Sequence, residues 1–154
     1  MQSHSIDQVY VHVNRIACLG NQMVSALPST EHARIARAVA IVIAGGVDLY
    51  PNHCAIVASQ SGAHAYTVSG DTCECPDAAR HPDARCKHVY ARILASQAQW
   101  VHTHARYATL EDGTWGIAWP TKNYQALWFL ADGHSRVQRV TLADVVVAGK
   151  VAAL

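Results

Sequence analysis

Four residues whose side chains bind soft metal ions lie in one short stretch of the chain, at Cys73, Cys75, Cys86 and His88. They form a Cys-x-Cys pair, ten intervening residues and a Cys-x-His pair. Three thiolates and one imidazole are the donor set of a closed tetrahedral zinc site. Such a shell leaves no coordination position for a substrate, so the pattern predicts one structural zinc ion that contributes folding energy and performs no chemistry.

The spacing within each pair predicts the backbone that holds it. Side chains at positions i and i+2 of a strand share a face, so Cys73 and Cys75 can bind one ion from an extended segment. The same spacing diverges on a helix, so we expect Cys86 to precede a helix, with His88 in its first turn. The connection from 76 to 85 is expected to be a loop that begins with a turn.

Helices and a hairpin are predicted around these ligands. Apolar residues at helical spacing predict a helix over residues 5–27. A second helix follows, capped by Ser29 or Thr30 and ended by Gly45-Gly46. A short strand is expected at residues 47–50. A hairpin follows, with strands at 53–59 and 63–68 around the turn Gln60-Ser61-Gly62. After His88 we expect a helix that continues to about residue 106.

The tail of the chain reads as a small β-sheet. Strands are predicted at residues 114–119, 124–131 and 136–142, with a possible fourth at 145–147, because turn-forming residues separate these segments. Alternation places Trp115, Ile117 and Trp119 on one face, which we expect to be buried against Trp128 or Phe129. The predicted fold is therefore α+β, with helices and a zinc finger in residues 1–108 and a small β domain in residues 109–154.

The metal-binding stretch resembles the SWIM zinc finger family in its motif Cys73-Glu74-Cys75-Pro76-Asp77 followed by Cys86-Lys87-His88. The resemblance covers about residues 53–100. It implies a ββα layout with zinc on the four ligands, and a module that binds DNA or other proteins. SWIM modules occur in transposases, chromatin-type ATPases, kinase-like proteins and recombination accessory factors. The tail from Gly113 to Val147 is similar to small SH3-like barrels.

The charge of the chain restricts how it could bind nucleic acid. The formal net charge is +1 and 15% of residues are charged, which excludes a polybasic nucleic-acid coat. A local phosphate-binding patch would use Arg80, Arg85, Lys87 and Arg92, with Arg34 and Arg37 as further basic residues near the zinc. Acidic residues are interleaved with them, so an ordinary mixed-charge surface is an equally good interpretation.

Several classes of protein are disfavoured by the sequence. No uninterrupted apolar run is long enough to span a membrane, and the N-terminal segment 1–7 is polar, unlike a signal peptide. Five cysteines, three of them beside a histidine, favour metal binding in a reducing compartment, so we expect an intracellular, cytoplasmic protein. Cys18 and Cys54 are expected to be buried thiols.

No nucleophile elbow or phosphate-binding loop is present, so we expect neither enzymatic activity nor a small-molecule substrate.

Two functional hypotheses follow. The first is a zinc-binding, non-enzymatic accessory protein that binds nucleic acid, DNA more readily than RNA, through the zinc finger. The second is an adaptor or structural subunit of a larger complex that docks through the Val-rich first helix or the Trp-bearing tail.

Overall fold

The structure, a computed structural model, describes residues 6–134 and 136–150; the polar segment 1–5 lies outside the described residues. Its helices are α1 (Ile6–Ala26), α2 (Ser29–Ile43), α3 (Pro76–Arg80) and α4 (Lys87–His104). Its strands are β1 (Val47–Tyr50), β2 (Cys54–Ala58), β3 (Ala65–Ser69), β4 (Thr72–Cys73), β5 (Arg106–Leu110), β6 (Trp115–Pro120), β7 (Leu127–Ala131), β8 (Gln138–Val140) and β9 (Val145–Lys150). The α+β prediction is confirmed.

The chain forms two compact units. One consists of Leu19–Ala98, and the other of the chain up to Cys18 together with the chain from Gln99 onward.

The Leu19–Ala98 unit contains a four-stranded antiparallel sheet in the order β1-β2-β3-β4. The hairpin expected around Gln60-Ser61-Gly62 is β2–β3, in which Ala55 lies opposite Val68. Ala55, Val57 and Val68 are almost completely buried, which gives the sheet one apolar face. Cys73 pairs with Val68, and because cross-strand partners share a face, the sheet directs this cysteine toward its buried side.

Helix α2 lies in the same unit and is the predicted second helix. It begins at Ser29, one residue after Pro28, and buries the apolar residues Ile35, Ala38, Ile41 and Val42. The predicted side-chain cap is wrong, because Pro28 occupies the cap position and no side chain bonds the free backbone N–H groups. Gly45, with φ of 73°, terminates the helix as expected. Gly20 of α1 allows close approach to α2, since a Cβ there would lie 2.5 Å from Val39.

The second unit contains a five-stranded antiparallel sheet in the order β8-β7-β6-β5-β9. Strands β5 to β8 form a meander, and β9 returns to pair with β5 after a short 3-10 helix at Leu142–Asp144. The result is a curled half-barrel, which agrees with the small antiparallel sheet predicted for the tail. Its core contains Ala108, Ala118, Leu127 and Phe129. Strand β5 was not predicted, because the helical pattern of α4 continues to Arg106 without a glycine or proline.

The aromatic residues of this sheet divide between its two faces. Trp115, Ile117 and Trp119 share the outer face, as alternation predicts, and Trp119 lies opposite Trp128. Phe129 is buried on the other face with the core, so it is not the packing partner that we expected. Trp119 is 4% exposed and Trp115 is 54% exposed, so Trp115 presents its indole to solvent.

Candidate metal centre

The four candidate ligands come from three consecutive elements of the Leu19–Ala98 unit. Cys73 ends strand β4, and Cys75 is the N-cap of α3. Cys86 immediately precedes α4, and His88 is the second residue of that helix, as the spacing predicts. The first pair differs from expectation, because only Cys73 belongs to a strand. Cys75 retains extended backbone, with φ of −76° and ψ of 157°, but it begins a helix.

Helix α3 replaces the loop that was predicted after Cys75. Pro76 occupies its first position, where the missing N–H costs nothing and the fixed φ already suits a helix. The Sγ of Cys75 accepts a hydrogen bond from the backbone N–H of Ala78 over 3.4 Å. This bond satisfies one free N–H of the helix and supports negative charge on the sulfur.

The ligand atoms converge to the dimensions of a metal site. The three Sγ atoms and one imidazole nitrogen all lie within 4.8 Å of one another. The Nδ1 of His88 is 3.8 Å from Cys73 Sγ and 3.9 Å from Cys86 Sγ. A tetrahedral ion with Zn–S of about 2.3 Å and Zn–N of about 2.0 Å requires ligand atoms roughly 3.6 to 3.8 Å apart. The two nitrogen–sulfur distances of 3.8 and 3.9 Å are close to this requirement, and the widest separation of 4.8 Å would have to shorten by about 1 Å on binding. The four residues therefore form a cluster that could hold a four-coordinate metal ion.

His88 is held in a defined orientation. Its side chain is 2% exposed, and its ring lies 4.8 Å from the ring of Tyr66 on β3. Nδ1 is the nitrogen that approaches the sulfurs, whereas Nε2 is buried and has no hydrogen-bond partner among the described residues. Nδ1 is thus the atom that could bind a metal.

The thiols of Cys73 and Cys86 shift each other's pKa in opposite directions. The hydrogen bond from Cys73 lowers the pKa of Cys86 to about 3, and the same bond raises the pKa of Cys73. The lowered pKa of Cys86 favours the thiolate, which is the form that binds metals, whereas a metal ion would have to displace the proton of Cys73.

The four basic residues proposed as phosphate contacts occupy different surroundings. Arg80 is exposed at the end of α3, and Arg85 forms an ion pair of 3.0 Å with Asp71. Lys87 Nζ donates to Gln60 Oε1 over 3.0 Å. Arg92 is 7% exposed and donates from Nε to the carbonyl oxygen of Gly70. A guanidinium enclosed in this way cannot reach a phosphate backbone.

A shallow cavity of about 260 Å³ lies beside the cluster. It is lined by Ser59, Gln60, Ser61, Tyr66, Cys75, Pro76, Asp77, Lys87 and His88.

The remaining cysteines lie outside the cluster. Cys18 is buried as expected, and burial raises the pKa of its thiol. Cys54 is only half-buried, contrary to expectation, because it ends the β1–β2 turn beside Ser69 and the carbonyl oxygen of Asn52.

Comparison of the chain with protein-family models, curated proteins and solved structures finds no match. Among the described residues, none of the helices combines the length and apolar character needed to cross a membrane.

Proposed function

We propose that this protein is a zinc-binding, non-enzymatic accessory protein whose SWIM-type zinc finger presents a binding surface for nucleic acid. The convergence of Cys73, Cys75, Cys86 and His88 carries the proposal. Soft thiolates with one imidazole select zinc over oxygen-preferring ions, and four protein ligands leave no open position for catalysis. The zinc therefore has a structural role and holds the β4–α3 turn against the start of α4.

Metal content and stability test the zinc assignment. The purified protein should contain about one zinc per chain, and removal by a chelator should lower its melting temperature. Cys75→Ser should lose the metal, whereas Cys54→Ser, a matched control outside the cluster, should retain it. Metal-free protein with an unchanged melting temperature would contradict the proposal.

Binding to nucleic acid is supported by the motif and by three cations beside the cluster. Arg80 ends α3, Arg85 immediately precedes Cys86, and Lys87 begins α4, so all three lie between Cys75 and His88 in sequence. The ion pair between Arg85 and Asp71 involves side chains that are 45% and 60% exposed, and such pairs contribute little, so phosphate can replace the carboxylate. With three phosphate contacts, log K should fall with log salt at a slope of roughly −2.7 for double-stranded DNA.

Fluorescence anisotropy with single- and double-stranded DNA and RNA at several salt concentrations measures the binding affinity and its dependence on salt. Changing Arg80, Arg85 and Lys87 together to Glu should abolish binding, whereas Lys122→Glu, an exposed lysine of the half-barrel, should have little effect. Lack of binding by the zinc-loaded protein at low salt would rule out this function.

A protein-binding adaptor is the second candidate, and exposed apolar residues of the half-barrel favour it. Tyr107, Trp115 and Val146 are 43%, 54% and 72% exposed. The register places them on the same outer face, because Thr109 lies between Trp115 and Val146 in adjacent strands. Large apolar side chains grouped on one face are typical of interaction surfaces. If this is the function, a protein partner should co-purify with the wild-type protein in a fixed ratio, and Trp115→Ala should abolish that binding. The protein should then have negligible affinity for nucleic acid.

A further inference from the structure

Helix α2 precedes the Cys–His segment in sequence, yet its side chains contact the part of the molecule that carries Cys75. Arg34 donates from Nε to Asp77 Oδ2 over 3.3 Å and from Nη2 to Asp77 Oδ1 over 3.4 Å. Asp77 is the second residue of α3, whose N-cap is Cys75. The two-point contact fixes the orientation of the carboxylate and of the helix turn to which it belongs.

The same helix also contacts the part that carries Cys86 and His88. The hydroxyl of Tyr90 donates to Glu31 Oε2 over 3.0 Å, and Tyr90 lies two residues after His88 on α4. Glu31 Oε1 in turn accepts from Arg34 Nη1 over 3.4 Å. A continuous set of polar contacts thus runs from α3 through Arg34 and Glu31 to α4.

The surroundings make these contacts stronger than ordinary surface pairs. The side chains of Arg34 and Glu31 are 20% and 17% exposed and Tyr90 is 3% exposed, whereas Asp77, at the α3 end, is 39% exposed. Partial exclusion of water raises the effective strength of charged hydrogen bonds. Helix α3 has only five residues, too few to be stable alone, so its position depends on contacts with other elements.

We propose that α2 is an outer clamp of the metal centre, in which Arg34 and Glu31 are positioning residues that set the affinity for the ion. Arg34 holds the Cys75 side through α3, and Glu31 holds the Cys86–His88 side through Tyr90. The clamp keeps the two ligand pairs at metal-binding separation before the ion arrives. The inference rests on the proposed zinc site and adds a determinant of affinity outside the Cys–His motif.

Groups that hydrogen-bond directly to metal ligands typically change metal affinity by 10- to 100-fold, and because Arg34 and Glu31 act one residue further out, we expect an effect at the lower end of this range. In the full-length protein, Arg34→Gln should weaken zinc affinity about tenfold or more, measured by competition with a chromogenic chelator, and speed zinc release to that chelator. Arg34→Lys should recover part of the loss, because it keeps the charge but not the two-point geometry. Arg37→Gln is the matched control, since Arg37 is an exposed residue of the same helix.

Two further measurements separate positioning from general destabilisation. Tyr90→Phe removes one hydroxyl without changing the packed ring, so it should fold normally and still weaken zinc affinity. Cobalt-substituted Arg34→Gln should keep the absorption bands of the wild-type site, because the four ligands are unchanged.

Each failure has a distinct meaning. Suppose that the wild-type protein binds zinc, but Arg34→Gln and Tyr90→Phe bind it as tightly as Arg37→Gln does. The proposed clamp is then wrong, whereas the proposed zinc site is retained. If wild-type protein binds no zinc, the proposed function and the clamp both fall.

Discussion

Arg92 and Gly70 are joined by a hydrogen bond of 3.1 Å from the guanidinium Nε to the carbonyl oxygen. Gly70 lies in the turn between β3 and β4, immediately before the strand that ends at Cys73. The bond therefore connects the turn before Cys73 with α4, the helix that carries His88. Both residues are candidate metal ligands. The buried position of Arg92 indicates a structural role within the Leu19–Ala98 unit.

Replacement of Arg92 should test this role. Arg92→Ala should lower the free energy of unfolding by about 1.5 to 3 kcal/mol, because the partly buried carbonyl of Gly70 loses its charged donor. Urea denaturation of the zinc-loaded protein measures the change. Arg80→Ala, at an exposed arginine, should stay within about 0.5 kcal/mol of wild type. Equal stability of the two variants would contradict the structural role of Arg92.

Alkylation of the native protein should distinguish three classes of cysteine. In the zinc-loaded protein we expect Cys54 to react first with iodoacetamide, because its sulfur is half-exposed. Cys18 should react slowly, since burial raises the pKa of its thiol and leaves little thiolate. The three ligand cysteines should react only after chelation. Peptide mass spectrometry over time identifies each site, and modification of Cys18 as fast as Cys54 would disagree with its burial.

Zinc affinity should depend on pH through the Cys73–Cys86 pair. Their hydrogen bond raises the pKa of Cys73, so its proton remains bound at neutral pH in the metal-free protein. Zinc must displace this proton, and apparent affinity should therefore rise with pH, by about tenfold per unit for each proton released. Titration in weakly buffered solution measures proton release directly. Affinity that is independent of pH between 6 and roughly 8 would contradict this expectation.

The half-barrel should be sensitive to a single added methyl group at Gly116. A Cβ at this position would collide with the carbonyl oxygen of Leu130 and lie 2.8 Å from the Cα of Ala131, both in the facing strand. Gly116→Ala should therefore cost about 3 kcal/mol, because backbone cannot move aside as a flexible side chain can.

Gly133→Asn provides the comparison for Gly116→Ala. Gly133 has φ of 73° and no atom within 4 Å of an added Cβ, and asparagine tolerates this backbone conformation. Its cost should be under about 1 kcal/mol. Thermal denaturation followed by tryptophan fluorescence reports both variants, and similar melting temperatures would mean that β6 and β7 are not packed as described.

Local signals were sufficient to predict the cluster of candidate ligands and the helices α2 and α4. The spacing of Cys86 and His88 indicated a helix start between them, and Gly45 marked the end of α2. Strand β5 was missed because its residues become a strand only by pairing with β6 and with β9, which is distant in sequence. Helix α3 has a local signal in Pro76, a residue that favours helix starts, but Pro-Asp is equally typical of a turn, and five residues are too few to show helical periodicity.

Arg92 shows a different limit of sequence reasoning. It was grouped with Arg80, Arg85 and Lys87 because it is close to them in sequence. Its position four residues after the buried His88, and so on the same side of α4, indicates burial, and helical periodicity could have separated it from the surface cations. The clamp formed by Arg34 and Glu31 had no comparable signal, since 43 residues separate Arg34 from Asp77.

The pairing of β9 with β5 has a consequence for how the protein is synthesised. Strand β5 leaves the ribosome before β6, β7 and β8, and one of its two partners emerges after all of them. The sheet has high contact order, whereas the metal ligands lie close together in sequence. On a translating ribosome the Leu19–Ala98 unit can thus assemble its Cys–His cluster and fold first, while β5 keeps one unpaired edge until β9 is made.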